Sequence, residues 1–199
     1  MTHRSDSRLR EALVRRDEIH RGAYLVFRRD VVADADGGEH VREVVVHPGG
    51  VCVLALLPDE RLLFVRQYRH AVGEVLLEIP AGTLDRGADG EREDPAAAAA
   101  RELAEETGYR AGRWRELGSF FTAPGFATEE MFIYLAWQLE PVEDYAGPAP
   151  DERLELATLS LDDALALAKS GGVRDAKTIV GLYLADELRR AGELPATAS

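Results

Sequence analysis

The sequence predicts an α/β fold: a mixed sheet covered by helices, preceded by an N-terminal β-hairpin region. Three observations carry that reading. Runs rich in β-branched and aromatic residues alternate irregularly with helix-forming runs, not in a strict βαβ repeat. One run, residues 51–57, is apolar throughout, as a strand buried on both faces must be. And Pro95–Thr107 carries a full set of helix boundary signals.

The elements follow in order. Residues 1–19 are charge-rich and read as a short helix or a frayed arm. Residues 24–32 and 41–47 read as two strands joined by the turn sequence DADGGE, hence a hairpin. Pro48-Gly49-Gly50 ends it, and residues 51–57 form the core strand, with Cys52 as a small buried apolar residue. Residues 62–68 return, and 74–79 form a short strand stopped by Pro80-Ala81-Gly82. After a polar loop, Asp94 is placed to cap a helix, Pro95 takes its first position, and Gly108 stands at its C-terminal cap. Strands are expected at 114–121 and 131–138, flanking the loop TAPGFATEE; residues 140–151 read as an exposed acidic loop. A strand at Leu154–Ser160 and helices at Leu161–Lys169 and Ala176–Arg190 complete the chain. The expected division is a region 1–47, an arm plus hairpin, and a domain 48–199.

Composition narrows the function. The 199 residues suffice for one ordinary core, and the formal charge is 24 − 36 = −12. So acidic a surface excludes a nucleic-acid duplex as the main partner, since such binding relies on basic stripes. It permits a small anionic substrate if a metal ion and a few arginines supply local positive charge. A single cysteine allows no intrachain disulfide, and no apolar run approaches the ~18 residues of a membrane span. The charged first residues lack the apolar stretch of a signal peptide, so a cytoplasmic location without membrane attachment is expected. The five histidines show no metal-ligand spacing, and neither a P-loop nor a G-x-S-x-G elbow occurs.

The informative stretch is Arg101-Glu102-Leu103-Ala104-Glu105-Glu106-Thr107-Gly108. Glu102 and Glu106 lie four apart, on one helix face. Two carboxylates so placed repel each other unless a cation lies between them, and a hard divalent ion takes oxygens from one or two carboxylates plus substrate phosphates. Arg101 and Glu105 make a second i, i+4 pair, able to brace that face.

With Glu93 ahead of Arg101 and seven residues between them, this pattern resembles the Nudix box, G-x5-E-x7-R-E-U-x-E-E-x-G-U, where U is apolar. Gly87 satisfies the spacing of the first glycine literally. The segment Glu78-Ile79-Pro80-Ala81 that precedes Gly82 instead resembles the box's usual approach, which makes Gly82 the box glycine and implies a five-residue insertion before Glu93. The resemblance runs from about residue 21 to 190. The segments REVVVHPGGVCVLAL, LLFVRQYRHAVGEVLLEIPAG and DAKTIVGLYLA, with Pro124 lying 124 − 109 = 15 residues past Tyr109, are similar to the ADP-ribose pyrophosphatase branch.

That resemblance implies an α/β/α sandwich, dependence on Mg2+ (or Mn2+), and hydrolysis of ADP-ribose to AMP and ribose 5-phosphate. Its alternatives are another nucleoside diphosphate sugar, such as GDP-mannose or ADP-glucose, or a sensor that binds ADP-ribose without cutting it. It implies Glu102, Glu106 and the Ala81 carbonyl as metal ligands, with Glu105 a ligand or orienter. Glu93, Arg101 and Gly108 are structural in the motif. Glu152, in the acidic loop, is the expected general base. Arg69 is expected on phosphate. Glu78 either accepts from adenine or ribose or braces its strand, and Glu129 contacts the ribose or the water at the metal. Gly82, Pro124 and Gly125 line the substrate; Phe27 and Arg28 reach the adenine, in relatives across a homodimer.

Overall fold

In the computed structural model of the chain, residues 6–87, 91–148 and 153–195 are described. They fall into two compact units, one holding the chain up to Gly49 with Phe121–Glu129, the other Gly50–Phe120 and the chain from Glu130 onward.

The first unit is built on an antiparallel sheet of β1 (Ala12–Arg21), β2 (Val26–Ala33) and β3 (Glu39–Val46), in that order. The expected hairpin is β2–β3. Its turn closes because Asp34 Oδ1 accepts the N–H of Asp36 at 2.9 Å and of Gly38 at 2.8 Å, while Gly37 takes φ 84°. Of the stretch expected as a helix or arm, Asp6–Leu9 forms a short 3-10 helix, and from Ala12 onward strand β1 takes its place. Nearly all its residues are exposed, so no apolar alternation marks it in the sequence. Its ladder to β2 is joined by a fork from Arg16 onto Asp30, at 3.0 and 3.1 Å, and Arg42 of β3 pairs with Glu11 just before it. The segment 121–129 joins this unit through β3: Val45 N–H donates to Phe126 O at 2.8 Å and Thr128 N–H to Val45 O at 3.0 Å.

The second unit carries a seven-stranded sheet. Its path is β10 (Leu154–Ser160), β5 (Arg61–Arg69), β4 (Gly50–Leu56), β9 (Glu130–Pro141) and β8 (Tyr109–Phe121). Strand β6 (Glu74–Glu78) pairs with β5, and the three-residue β7 (Ala81–Thr83) with β4. The β4–β9 pairing is parallel and the β4–β5, β5–β10, β5–β6 and β4–β7 pairings are antiparallel, so the sheet is mixed as expected. Every residue of β4 is buried, and the period of two divides it between two cores. Val51, Val53 and Ala55 face α1 (Pro95–Thr107), whose Ala98, Ala99 and Leu103 fill that side. Cys52, Leu54 and Leu56 face α2 (Leu161–Lys169) and α3 (Ala176–Arg190), through Ala164, Leu165, Leu182 and Ala185. Helices therefore cover both faces. Burial pushes the Cys52 thiol up to about 12, which makes it an inert packing group. Among the described residues no helix is long and apolar enough to cross a membrane.

The boundaries of α1 are those read from the sequence. Asp94 Oδ1 accepts from Ala96 N at 3.1 Å and Ala97 N at 3.0 Å, Pro95 opens the helix, and Gly108 closes it at φ 71°. Two strand readings need correction. Strand β8 begins at Tyr109, not 114, because the chain turns directly at Gly108. And Ala81–Gly82, read as a break, continues into β7.

Candidate active site

Strand β7 lies against α1, and the two carboxylates of the i, i+4 pair both meet it. Glu106, 4% exposed, accepts from Ala81 N–H at 3.0 Å. The Glu102 carboxylate occupies the space above Gly82: a Cβ built there would stand 1.9 Å from its Cδ and 2.0 and 2.3 Å from its oxygens. No residue other than glycine leaves that room. The two carboxylates and the Ala81 peptide thus come together at one point on the sheet.

Arg101 sits in the middle of the acidic residues. Its Nε and Nη2 donate to the two oxygens of Glu93 at 3.1 and 2.8 Å, and its Nη1 to Glu102 at 2.8 Å and Glu105 at 3.0 Å. Nη2 also reaches the Thr83 carbonyl at 3.3 Å. The fork from Arg101 holds Glu93 below the usual carboxylate range, against the opposing effect of burial and helped by Asp85 N–H; the same bonds raise the guanidinium. Arg101 therefore fastens the loop before α1 to the helix and orients its acidic face.

The insertion ahead of Glu93 becomes intelligible here. Gly87 N–H donates to Glu91 O at 2.9 Å and Glu93 N–H to Asp85 O at 2.8 Å, with Arg86 and Arg92 bridged between them. These bonds pair the described residues on either side of the inserted stretch, and Glu93 is still delivered to Arg101. Gly87 is an exposed residue there, while Gly82 makes the close approach.

Glu93, Glu102, Glu105 and Glu106 all stand here, and Arg101 bonds to three of them. Among the described residues no three Asp, Glu, His or Cys side chains converge into a cage. A donor set of one or two carboxylates and a carbonyl suits a hard divalent cation that completes its shell with water and phosphate oxygens.

Behind β7 lies a buried charge network. Arg69 forks onto Glu78, Nε to Oε1 at 2.8 Å and Nη2 to Oε2 at 2.7 Å. Lys177 also donates to Glu78, and to Asp175 at 2.9 Å. Burial alone would raise the Glu78 carboxyl; Arg69 and Lys177 outweigh it and bring it below its ordinary value. The remaining nitrogen of the Arg69 fork, Nη1, makes neither of these bonds.

The other expected site residues belong to the first unit. Phe27 is half-buried in β2, opposite Val45. Arg28 Nε lies 3.2 Å from Asp30 Oδ2 without the alignment of a hydrogen bond. Pro124 and Gly125 are exposed in a tight turn in which Phe126 N–H and Ala127 N–H both donate to Ala123 O. Glu129 accepts from Thr122 Oγ1 at 2.5 Å and lies 3.4 Å from His47 Nε2. Glu152 lies outside the described residues.

Several residues of these networks were not singled out from the sequence. Lys177 and Thr178 lie 99 residues from the groups they hold, Glu78 and Ile79, so no local spacing reveals them. His47, whose Nδ1 accepts from Gly49 N–H at 3.1 Å, was visible only as part of H-P-G. Tyr145 fills the space beside Gly108 and donates its hydroxyl to Glu105 O at 2.8 Å; nothing in the acidic loop announces it.

Comparison with known proteins gives a consistent result. The sequence model of the NUDIX domain matches residues 46–180. A Bacillus methanolicus protein named "Methanol dehydrogenase activator" is 38% identical over 172 residues, 86% of this chain and 90% of that protein. An "ADP-ribose pyrophosphatase" of Bacillus subtilis (strain 168) is 37% identical over 170 residues, 85% of this chain and 89% of that protein. A solved structure described as "Crystal structure of ADP compounds hydrolase" shares the fold, with a TM-score of 0.78 over 92% of this chain and 96% of that chain at 22% identity.

Proposed function

The chain belongs to the NUDIX domain family, and from that premise we propose that it hydrolyses the pyrophosphate bond of ADP-ribose with Mg2+, releasing AMP and ribose 5-phosphate. The observation that carries the reading is the acidic face of α1 gathered at β7, in a chain whose relative over most of both lengths is named an ADP-ribose pyrophosphatase.

Glu102, Glu106 and the Ala81 carbonyl are the groups that would hold the metal, with Glu105 as a further ligand or orienter. Bound there, a divalent cation supplies charge neutralisation of the pyrophosphate and lowers the pKa of water, as Mg2+ does in the family and Mn2+ can replace. The chain's own residues do the rest. Glu152 takes the proton from the attacking water, whose oxygen bonds to phosphorus as the bridging P–O bond breaks. Arg69, held in plane by Glu78, turns its free edge to a phosphate. Gly82 permits the close approach of Glu102. Glu129 accepts from the ribose, the Pro124–Gly125 turn lines its side, and Phe27 with Arg28 receives the adenine. Glu93, Arg101 and Gly108 keep the motif in shape.

We further read the protein as a homodimer of the cytoplasm. The exposed Val14 and Val41, on the same face of the N-terminal sheet as Val31, give a second copy apolar side chains to cover.

The test is a hydrolysis panel of ADP-ribose, ADP-glucose, GDP-mannose, NADH and 8-oxo-dGTP with Mg2+, products identified. The expected result is a kcat/KM preference for ADP-ribose that yields AMP. Preference for GDP-mannose or ADP-glucose would overturn the substrate. Tight ADP-ribose binding without turnover would overturn the reaction.

A further inference from the structure

The turn that carries Ala81 is held on every side. Glu78, 1% exposed, is fastened through its side chain to Arg69 and Lys177. Ile79 N–H donates to Thr178 Oγ1 at 2.8 Å. Pro80 has no N–H and a fixed φ, and its carbonyl accepts from Val53 N–H at 2.8 Å. Ala81 N–H donates to Glu106.

Two of these holds come from one short segment, Asp175-Ala176-Lys177-Thr178, at the start of α3. Asp175 caps the helix: its Oδ2 accepts from Thr178 N at 2.9 Å and Thr178 Oγ1 at 2.6 Å, while Oδ1 accepts from Lys177 Nζ at 2.9 Å. The Thr178 hydroxyl therefore donates to Asp175 and accepts from Ile79 N–H. A polarised chain runs from the carboxylate through the hydroxyl to the Glu78–Ile79 peptide. Lys177 holds the adjoining Glu78 from the same helix turn. The helix comes close enough because Gly181, one turn along, has no side chain: a Cβ there would stand 3.1 Å from Ile79 Cδ1 and 3.3 Å from Leu54 Cδ2.

We propose that Lys177 and Thr178 are positioning residues for the metal site, acting through Glu78 and Ile79 to set the direction of the Ala81 carbonyl. The inference rests on the reading of Ala81, Glu102 and Glu106 as metal ligands. Thr178 is fully buried and lies on α3, across the sheet from the acidic helix, and its hydroxyl meets the segment 78–81 at Ile79.

The experiment measures Mn2+ binding by loss of the free-ion electron paramagnetic resonance signal, at a temperature well below unfolding of each variant. Thr178→Val removes the hydroxyl at nearly constant shape and is expected to weaken Mn2+ about tenfold. That is the order of loss found when partners behind metal ligands are removed. Thr178→Ser keeps the hydroxyl and is expected to restore the parent affinity. Lys177→Met reads the second hold independently, should the valine variant not fold, and is expected to weaken Mn2+ several-fold. Leu188→Ala, at the far end of α3, removes packing without touching residues 78–81 and controls for lost stability. It should leave the affinity of the folded protein unchanged. In steady state the loss in Thr178→Val should fall on kcat and the Mg2+ activation constant, not on KM for ADP-ribose. Parent-like Mn2+ affinity in both Thr178→Val and Lys177→Met, or an equal loss in Leu188→Ala, would overturn the proposal. Absence of Mn2+ binding in the parent chain would overturn the metal reading beneath it.

Discussion

Substituting Gly82 by alanine tests the site at its tightest point. The new methyl would stand 1.9 Å from Glu102 Cδ, where carbon atoms rest at about 3.5–4 Å, so the carboxylate must retreat by roughly 1.5–2 Å. The obstacle is the end of a flexible side chain, so the backbone survives. The retreat breaks the 2.8 Å bond from Arg101 to Glu102. Arg101 is partly exposed and keeps Glu93 and Glu105, so the cost in stability is about 1 kcal/mol, or a fall of roughly 2–4 °C in Tm for a chain of this size. Function suffers far more, because a misplacement of ~1 Å at a reacting centre costs about 10²-fold. Gly82→Ala should therefore retain a cooperative melt, bind Mn2+ at least tenfold more weakly and lose about 10²-fold in kcat/KM for ADP-ribose. Gly87→Ala is the natural comparison, since Gly87 fits the motif's written spacing yet stands exposed; it should behave like the parent. Parental metal binding and turnover in Gly82→Ala would refute the argument that Glu102 must occupy that space. Loss in Gly87→Ala instead would assign the motif glycine to the wrong residue.

Three further predictions concern single carboxylates. Glu106→Gln keeps an acceptor for Ala81 N–H and should fold normally, yet lower turnover by several orders of magnitude; near-normal activity would remove Glu106 from the metal site. Glu152→Gln should lower kcat more than it raises KM, as loss of a proton acceptor does, whereas a change confined to KM would place the base elsewhere. Glu93 titrates below its ordinary 4.5 because Arg101 forks onto it, with burial opposing and Asp85 N–H helping. Its contribution is full above 4.5 and disappears as pH falls through the lower folded value. Urea midpoints should show the parent losing its advantage over Glu93→Gln across that acidic window, and a constant difference down to pH 2 would show that the fork contributes nothing.

What could be read from the sequence depended on whether the determining interactions were local. Strand β4 was legible because both of its faces are buried, and α1 because Asp94, Pro95 and Gly108 mark its ends within the helix itself. The Glu102–Glu106 pair was legible for the same reason: four residues along a helix is a distance the sequence states. Strand β1 was not, since an exposed strand held by its ladder and by Arg16–Asp30 needs no apolar alternation. Strand β7 was hidden by brevity, three residues following a proline. The hold of Lys177 and Thr178 on Glu78 and Ile79 was hidden by distance, because only the packing of α3 against the sheet brings those segments together.

The insertion shows which part of the motif's spacing is physical. The requirement is that Glu93 meet Arg101 while Gly82 faces Glu102; the count of residues between them matters only through the path that joins them. Here the two sides of the path pair at Asp85–Glu93 and at Arg86–Arg92, and the extra residues lie between those pairs in the chain. Removing residues 87–91 leaves Thr83-Leu84-Asp85-Arg86-Arg92 between Gly82 and Glu93, five residues in place of ten. The Asp85–Glu93 contact and the fork to Arg101 lie on the retained side of the cut. The shortened chain should therefore keep its kcat/KM for ADP-ribose and its Mn2+ affinity within a few-fold, and its melt should stay cooperative. A loss beyond tenfold in KM with metal binding intact would mean that the removed residues touch substrate. A loss in both would mean that the longer path sets the position of Glu93, and the spacing argument would then fail at its base.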